Sequence, residues 1–171
     1  MGQNIWKDGI IGLMVGDALG VPVEFSSRED REHDPVIGMR AYGTHNQPAG
    51  TWSDDSSMTL ATLDSIKQKG KIDYKDLMDK FTEWCLYADY TPFHEVFDIG
   101  VATSRAIIQY GKGTDPIDCG GKTEWDNGNG SLMRILPVCL YLYNRQKMIC
   151  TSENESIYLI HNVSALTHAH L

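Results

Sequence analysis

The sequence is poor in strand signal. Almost no stretch alternates apolar and polar residues; apolar positions recur instead at three- and four-residue spacing, which predicts an all-α domain rather than a sandwich or barrel. It lacks any CxxC pair as well. Cys85, Cys119, Cys139 and Cys150 are widely scattered, which argues against a disulfide framework or a zinc site and predicts buried thiols in a reducing compartment. Basic residues are few: 15 Lys and Arg against 23 Asp and Glu leave a formal net charge of -8. A surface that tracks a nucleic-acid backbone needs clustered cations, so nucleic acid is excluded as the expected partner, although a small anion could bind locally. No apolar run reaches the length of a membrane span, and Met1 to Trp6 has no basic stretch leading into an apolar one. A cytoplasmic protein with no membrane partner is expected, in which the Asn-x-Ser/Thr triplets at Asn129, Asn154 and Asn162 are fortuitous.

What is present suits one compact unit. The 171 residues are 42% hydrophobic and 22% charged, and residues 1–171 are read as a single domain. A first helix is expected from Ile5 to Leu19, with Ile10, Leu13, Met14 and Ala18 on its apolar stripe and Gly20 and Pro22 ending it. Gly9, Gly12, Gly16 and Gly20 lie near one side, where another backbone could approach. A second helix is expected from Asp54 to Lys69, closed by Gly70, and a third follows Asp73 with Tyr74, Leu77, Met78, Phe81, Trp84 and Cys85 on its core face. A fourth is placed from about Asp98 to Gly111. A fifth follows Ser131, with Pro137 expected to bend or interrupt it, and a sixth starts at a Ser152/Glu155 capping box and runs toward Val163. Between the fourth and fifth, Lys112 to Gly130 is a long Gly- and Asp-rich loop of a length that is usually functional.

Four stretches could carry chemistry. In Gly50-Thr51-Trp52-Ser53-Asp54-Asp55-Ser56-Ser57-Met58, a hydroxyl precedes two acids at a helix start, which is ordinary capping chemistry. The helix dipole is worth roughly 0.3–1 kcal/mol to each acid, whereas two carboxylates about 4 Å apart repel by about 4 kcal/mol at an effective dielectric of 20. Converging acids therefore need a cation; the spacing alone leaves cap and cation both open. Asp17 sits on the apolar stripe near a helix C-terminus, where its charge needs a partner, and a bond to nearby backbone is the simplest one. Glu24, in the irregular stretch that follows, reads by itself as a surface acid. The run Asp126-Asn127-Gly128-Asn129-Gly130-Ser131-Leu132-Met133-Arg134 is either a plain turn or a loop that presents N–H groups to a phosphate. Gly120-Gly121-Lys122-Thr123 is no nucleotide loop, because Pro116 replaces the first glycine and no strand precedes it. His168 and His170 read as an exposed pair at a chain end, spaced two apart and so divergent on a helix.

Taken in order, "GDALGVPVEF", "GTWSDDSSM", "DIGVAT", "NGNGSLMRILP" and "ALTH" resemble the ADP-ribosylglycohydrolase family over Gly9 to His168. The resemblance implies an all-α fold, hydrolysis of the bond joining C1 of the terminal ribose of ADP-ribose to an acceptor, and a pair of Mg2+ ions. Ser53, Asp54 and Asp55 match the family's Thr-Asp-Asp metal ligands, with Asp54 and Asp55 also counted as catalytic, and Ser for Thr keeps the oxygen a hard cation accepts. Glu24 matches the acid near the scissile linkage. Asn127, Gly128, Asn129, Gly130, Ser131 and Met133 match the loop on the diphosphate and ribose, and His168 matches a pocket histidine. The implied partner is an ADP-ribosylated protein or a small molecule containing ADP-ribose.

One departure stands out. Family members are longer, and a second Asp-x-Asp-Ser/Thr motif well downstream completes their metal site; here Asp115-Pro116-Ile117-Asp118 lies in the wrong place with an extra residue. The sequence is therefore read as a domain truncated at its C-terminus. Two classes follow: an enzyme whose missing acids come from another segment or chain, impaired in isolation, or a non-catalytic ADP-ribose-binding or self-associating helical protein. Uncovered apolar faces predict a homo-oligomer or a complementing chain.

Overall fold

The computed structural model describes residues 4–148 and 153–170. Its regular elements are all helical: α1 (Ile5–Gly20), α2 (Arg28–His33), α3 (Asp54–Lys69), α4 (Tyr74–Tyr87), α5 (Val101–Gly111), α6 (Leu136–Met148) and α7 (Glu153–Ala165), with short 3-10 turns between them. Extended pairing is confined, among the described residues, to an isolated bridge between Gly121 and His168. No described helix is long and apolar enough to cross a membrane.

Helix α3 is the central element, packed against α1, α4, α6 and the 3-10 turn Leu132–Arg134. Met58, Ala61 and Ile66 supply its apolar contacts, while its remaining buried positions after Asp54 carry small hydroxyls. Most of those hydroxyls find acceptors without solvent, Ser65 Oγ being the exception among the described residues. Ser57 Oγ donates to the Ser53 carbonyl and Thr62 Oγ1 to the Met58 carbonyl, each at 2.8 Å, and Thr59 Oγ1 reaches the Met133 carbonyl at 2.7 Å. The last bond ties the Asn-Gly loop region to the central helix. Leu77, Met78, Phe81 and Trp84 form the buried stripe of α4, each worth about 1.5–3 kcal/mol on full burial. Across this interface Lys80 Nζ donates to Asp64 Oδ2 at 2.8 Å, and the Tyr90 hydroxyl donates to the same oxygen at 2.9 Å.

The expected boundaries hold for α3 and α4; α3 ends at Gly70, whose φ of 67° places it in the left-handed cap with its N–H on the Ile66 carbonyl. Others shift for local reasons. The first helix passes through Gly20 into a 3-10 turn, Val21–Val23, that contains Pro22. Helix α5 starts at Val101 rather than near Asp98, because Asp98 adopts φ 57° and Gly100 is extended. Pro137 is the second residue of α6, where its missing N–H has no helical partner to lose, so it starts the helix instead of bending it. The short α2 was not foreseen, although Ser27 and Asp30 form a complete capping box at its start. The capping box expected at Ser152 lies outside the described residues.

Of the α1 glycines only Gly9 meets a neighbour, with Leu136 and Leu140 of α6 at 3.7 and 3.8 Å from the place of a Cβ; Gly12, Gly16 and Gly20 face open space. The expectation of buried thiols holds for Cys119, but Cys85 is half-buried and Cys139 is exposed on the outer face of α6. Cys150 lies outside the described residues. The Lys112 to Gly130 loop is shaped by two 3-10 turns, Pro116–Asp118 and Glu124–Asp126. Gly120 then runs so close to α7 that a Cβ would sit 2.2 Å from the Ala165 carbonyl oxygen. At Gly120 and Gly121 the glycine is required by packing, since a Cβ at the latter would sit 2.3 Å from Asp126 Cγ.

Candidate active site

The site is built on the N-terminus of α3. Ser53 caps it, its Oγ accepting from the Asp55 N–H at 3.2 Å. Asp17, at the end of α1, does not bond to nearby backbone; its carboxylate crosses to this helix start. It accepts from the Ser53 N–H at 3.1 Å and Oγ at 2.8 Å, and from the Ser56 N–H at 3.0 Å and Oγ at 2.5 Å. An acid that is misplaced on its own helix dipole is thus well placed on another. The bland reading of Ser53 is correct as far as it goes, and Asp17 fixes how the next two acids are presented.

Asp54 and Asp55 then enter a cavity of about 460 Å³ with Glu24, Asp98, Gly128, Asn129, Gly130, Met133 and His168 on its wall. An adjoining cleft of about 440 Å³ shares Asp55, Asn129, Gly130 and Met133 and reaches Asp17. A larger open groove of about 820 Å³, lined by Lys71–Lys75, Tyr110 and Gly113–Pro116, shares no residue with these two and holds no buried acid. Chemistry, not size, selects the first pair.

The crowding of acids has a measurable consequence. Burial, then the charges of Asp55, Asp98 and Asp17, push the Asp54 carboxyl up to about 8. Burial and the charges of Asp17 and Asp98 raise Asp55 as well. Glu24 is raised by burial, against the opposing hydrogen bond from His45.

Two members of the cluster were not singled out from sequence. His45 Nε2 lies 2.5 Å from Glu24 Oε2 and 4.0 Å from Asp98 Oδ1, and the three residues can bring ligand atoms within 4.8 Å of one another. The strap before α3 delivers His45, with Thr44 N–H on the Pro22 carbonyl at 3.1 Å and Gly43 packed where any Cβ would overlap that carbonyl. Glu24 is accordingly half-buried and not a plain surface acid. Phe25 and Asp98, the first next to Glu24 and the second within the cluster, both hold left-handed backbone, φ 59° and 57°. Such conformations cost of order 1 kcal/mol or more in a non-glycine residue and collect at functional sites.

The other expected residues divide. Gly128, Asn129, Gly130, Met133 and His168 line the cavity. Asn127 is exposed outside it, Ser53 is buried in the cap, and Ser131 Oγ is paired with Ser164 Oγ at 2.7 Å beneath the loop. His168 and His170 are both half-buried, not exposed, because Ala169 N–H bonds the Gly121 carbonyl at 2.9 Å and draws the segment against the Gly-rich loop.

Comparison with known proteins identifies the family. The sequence model of the ADP-ribosylglycohydrolase family matches residues 6–171. ADP-ribosylarginine hydrolase Tri1 of Pseudomonas putida (strain GB-1) is 33% identical over 165 residues, 95% of this chain and 41% of that protein. The ADP-ribosyl-[dinitrogen reductase] glycohydrolase of Rhodospirillum rubrum is 32% identical over 142 residues, 76% of this chain and 42% of that protein. A solved chain described as an ADP-ribosylglycohydrolase-related protein complex superposes with a TM-score of 0.71 at 32% identity, over 94% of this chain and 48% of that one. The chain therefore spans about two fifths of the length of these curated relatives. With the match running along the same residues that build the acidic cavity, the chain belongs to the ADP-ribosylglycohydrolase family.

Proposed function

We propose that this chain serves the magnesium-dependent hydrolysis of the bond between C1 of the terminal ribose of ADP-ribose and a protein side chain, with arginine the first acceptor to test. The observation that carries the reading is the convergence of Glu24, Asp54, Asp55 and Asp98 with the Asn-Gly loop and His168 on one cavity. The names of the relatives in P. putida and R. rubrum support the choice of ADP-ribose and of arginine.

The donor set suits a hard divalent cation: carboxylate oxygens dominate, and burial together with their mutual repulsion raises the Asp54 carboxyl to about 8. Asp54 and Asp55, with the Ser53 hydroxyl beside them and Asp98 across the cavity, are the residues that would hold it. Bound there, Mg2+ would supply the positive charge that orients ribose hydroxyls and acidifies a water. Glu24, steadied by His45 and raised by burial, is the group suited to carry a proton at the linkage. Gly128 to Gly130 give the diphosphate a close approach to backbone. A cytoplasmic setting, where free thiols stay reduced, fits this reading.

A second reading is ADP-ribose binding without turnover, for which the Asn-Gly loop and His168 on the cavity wall suffice. We also assign the open α1 face, with Ile5, Ile11 and Val15 exposed beside bare Gly12 and Gly16, to a second copy or a complementing chain. A monomer in sedimentation velocity at micromolar concentration would count against that assignment. The functional test is release of ADP-ribose from ADP-ribosylated arginine and serine peptides with and without Mg2+, for the chain and for Asp54→Ala/Asp55→Ala. Release that needs Mg2+ and is lost in the double variant supports hydrolysis; Mg2+-dependent ADP-ribose binding with no release supports the second reading. Robust turnover that survives the double substitution refutes both.

A further inference from the structure

Arg134 follows the Asn-Gly loop and is fully buried, its guanidinium 5.1 Å from the Phe81 ring centroid. Burial lowers its pKa to about 9, so it remains a cation at neutral pH. Its Nη2 donates to the Val163 carbonyl at 3.1 Å, the Ser164 carbonyl at 3.4 Å and Thr167 Oγ1 at 2.8 Å. Its Nε and Nη1 have no hydrogen-bond partner among the described residues. Arginine has donors only, so at the third contact Thr167 must accept.

Thr167 is also fully buried, and its Oγ1 lies 2.6 Å from His168 Nδ1. The hydroxyl owns one proton. If Nδ1 carried a proton too, two donors would converge on one oxygen beside a cation, and the threonine proton would be buried with no other acceptor among the described residues. The alternative satisfies every group: Arg134 donates to Thr167, Thr167 donates to Nδ1, and the ring proton resides on Nε2. Burial and the charge of Arg134 hold the His168 pKa below its usual value, against the opposing charge of Asp126, which keeps the ring neutral. On the other side of the ring, Nε2 faces the loop that lines the cavity, 3.1 Å from where a Gly130 Cβ would stand and 3.7 Å from that of Gly128.

We propose that Arg134 and Thr167 are positioning residues that hold His168 as the neutral Nε2–H tautomer, so that the cavity is offered a hydrogen-bond donor at this point and no base. The chemistry recognised is an acceptor oxygen, and its assignment to ADP-ribose rests on the function proposed above. A general-base role for His168 is excluded by the same hydrogen-bond logic, which leaves proton transfer to the carboxylates.

Long-range 15N–1H spectra of the folded chain decide the tautomer without any ligand. The wild type should give a pyridine-type Nδ1 and a pyrrole-type Nε2 for His168, Thr167→Ser should keep that pattern, and Thr167→Val should lose it. In Mg2+, ADP-ribose should bind Thr167→Val about tenfold more weakly than wild type, the effect of one well-placed hydrogen bond, with Thr167→Ser close to wild type. A protonated Nδ1 in the wild type, or an unchanged tautomer in Thr167→Val, overturns the proposal. Should the wild type show the Nε2–H tautomer yet fail to bind ADP-ribose, the relay stands and the ligand assignment falls.

Discussion

Replacing Asp17 with alanine should destabilise the fold more than any other single change at the site. Four donors at the start of α3 lose their acceptor: the N–H and hydroxyl of Ser53 and of Ser56, at 2.5–3.1 Å. Hydrogen bonds to a charged group contribute about 1.5–3 kcal/mol each, but three of these four converge on Oδ2 and water can replace part of the set, so the net loss is about 3–4 kcal/mol. An opposing term exists, since Asp17 repels Asp54 and Asp55 and its removal relieves both. The bonds win because they are made at contact and the repulsion acts through a partly solvated gap. At about 2–4 °C per kcal/mol for a chain of this size, Tm should fall by roughly 6–16 °C. Asp17→Asn separates the two terms: it removes the charge and keeps one acceptor oxygen, and should lose about half as much. Thermal unfolding by circular dichroism in EDTA measures both variants. An Asp17→Asn protein more stable than wild type would show that repulsion dominates, and the account of Asp17 as the organiser of α3 would be wrong.

The pH dependence has a definite sign. In the metal-free protein Asp54 ionises at about 8, whereas in the unfolded chain it ionises near 4, so the folded state retains a proton that the unfolded state gives up between these values. Stability from this group is complete below pH 4 and is lost as pH rises toward 8; Tm in EDTA should decline over that window, and Asp54→Asn should flatten the decline. Added Mg2+ should raise Tm more at pH 8 than at pH 5, and an equal shift at both would contradict the assignment of the cation to these acids. Asp64→Asn leaves the buried Lys80 ammonium short of its charged partner and should cost about 3 kcal/mol in urea denaturation, with a change under 1 kcal/mol showing that Tyr90 alone suffices. Gly120→Ala sets a Cβ against the Ala165 carbonyl and should lose about 2–3 kcal/mol, whereas Gly12→Ala meets open space and should be neutral or slightly stabilising.

Much of the fold was readable because the signals were local. Ser53 and Gly70 bracket α3, and the Tyr74 to Trp84 stripe has the period of a helix with one buried face. What sequence misplaced depended on backbone angles that no periodicity reports: the left-handed Asp98 delays α5, and Pro137 reads as a break or as a start depending on a boundary it does not itself define. At the site, Asp54, Asp55, Glu24 and the Asn-Gly loop were picked out by motif, but their convergence is tertiary. His45 carried no signal by itself, because its pairing with Glu24 spans 21 residues that include α2 and the irregular strap after it. Asp17 carried half of one: its poor position on α1 announced a missing partner, and only the packing of α1 on α3 supplies it. Arg134 gave no warning, since an arginine beside a Gly-rich loop reads as a surface cation and here has no exposure.

The most direct test of the central claim is calorimetric titration of ADP-ribose into the chain with Mg2+ and with EDTA, repeated for Asp54→Ala/Asp55→Ala. The account predicts binding that appears only with Mg2+ and disappears in the double variant, whether or not the chain turns substrate over. Equal ADP-ribose affinity in EDTA, or in the variant, would mean that the acids at the start of α3 do no more than cap a helix.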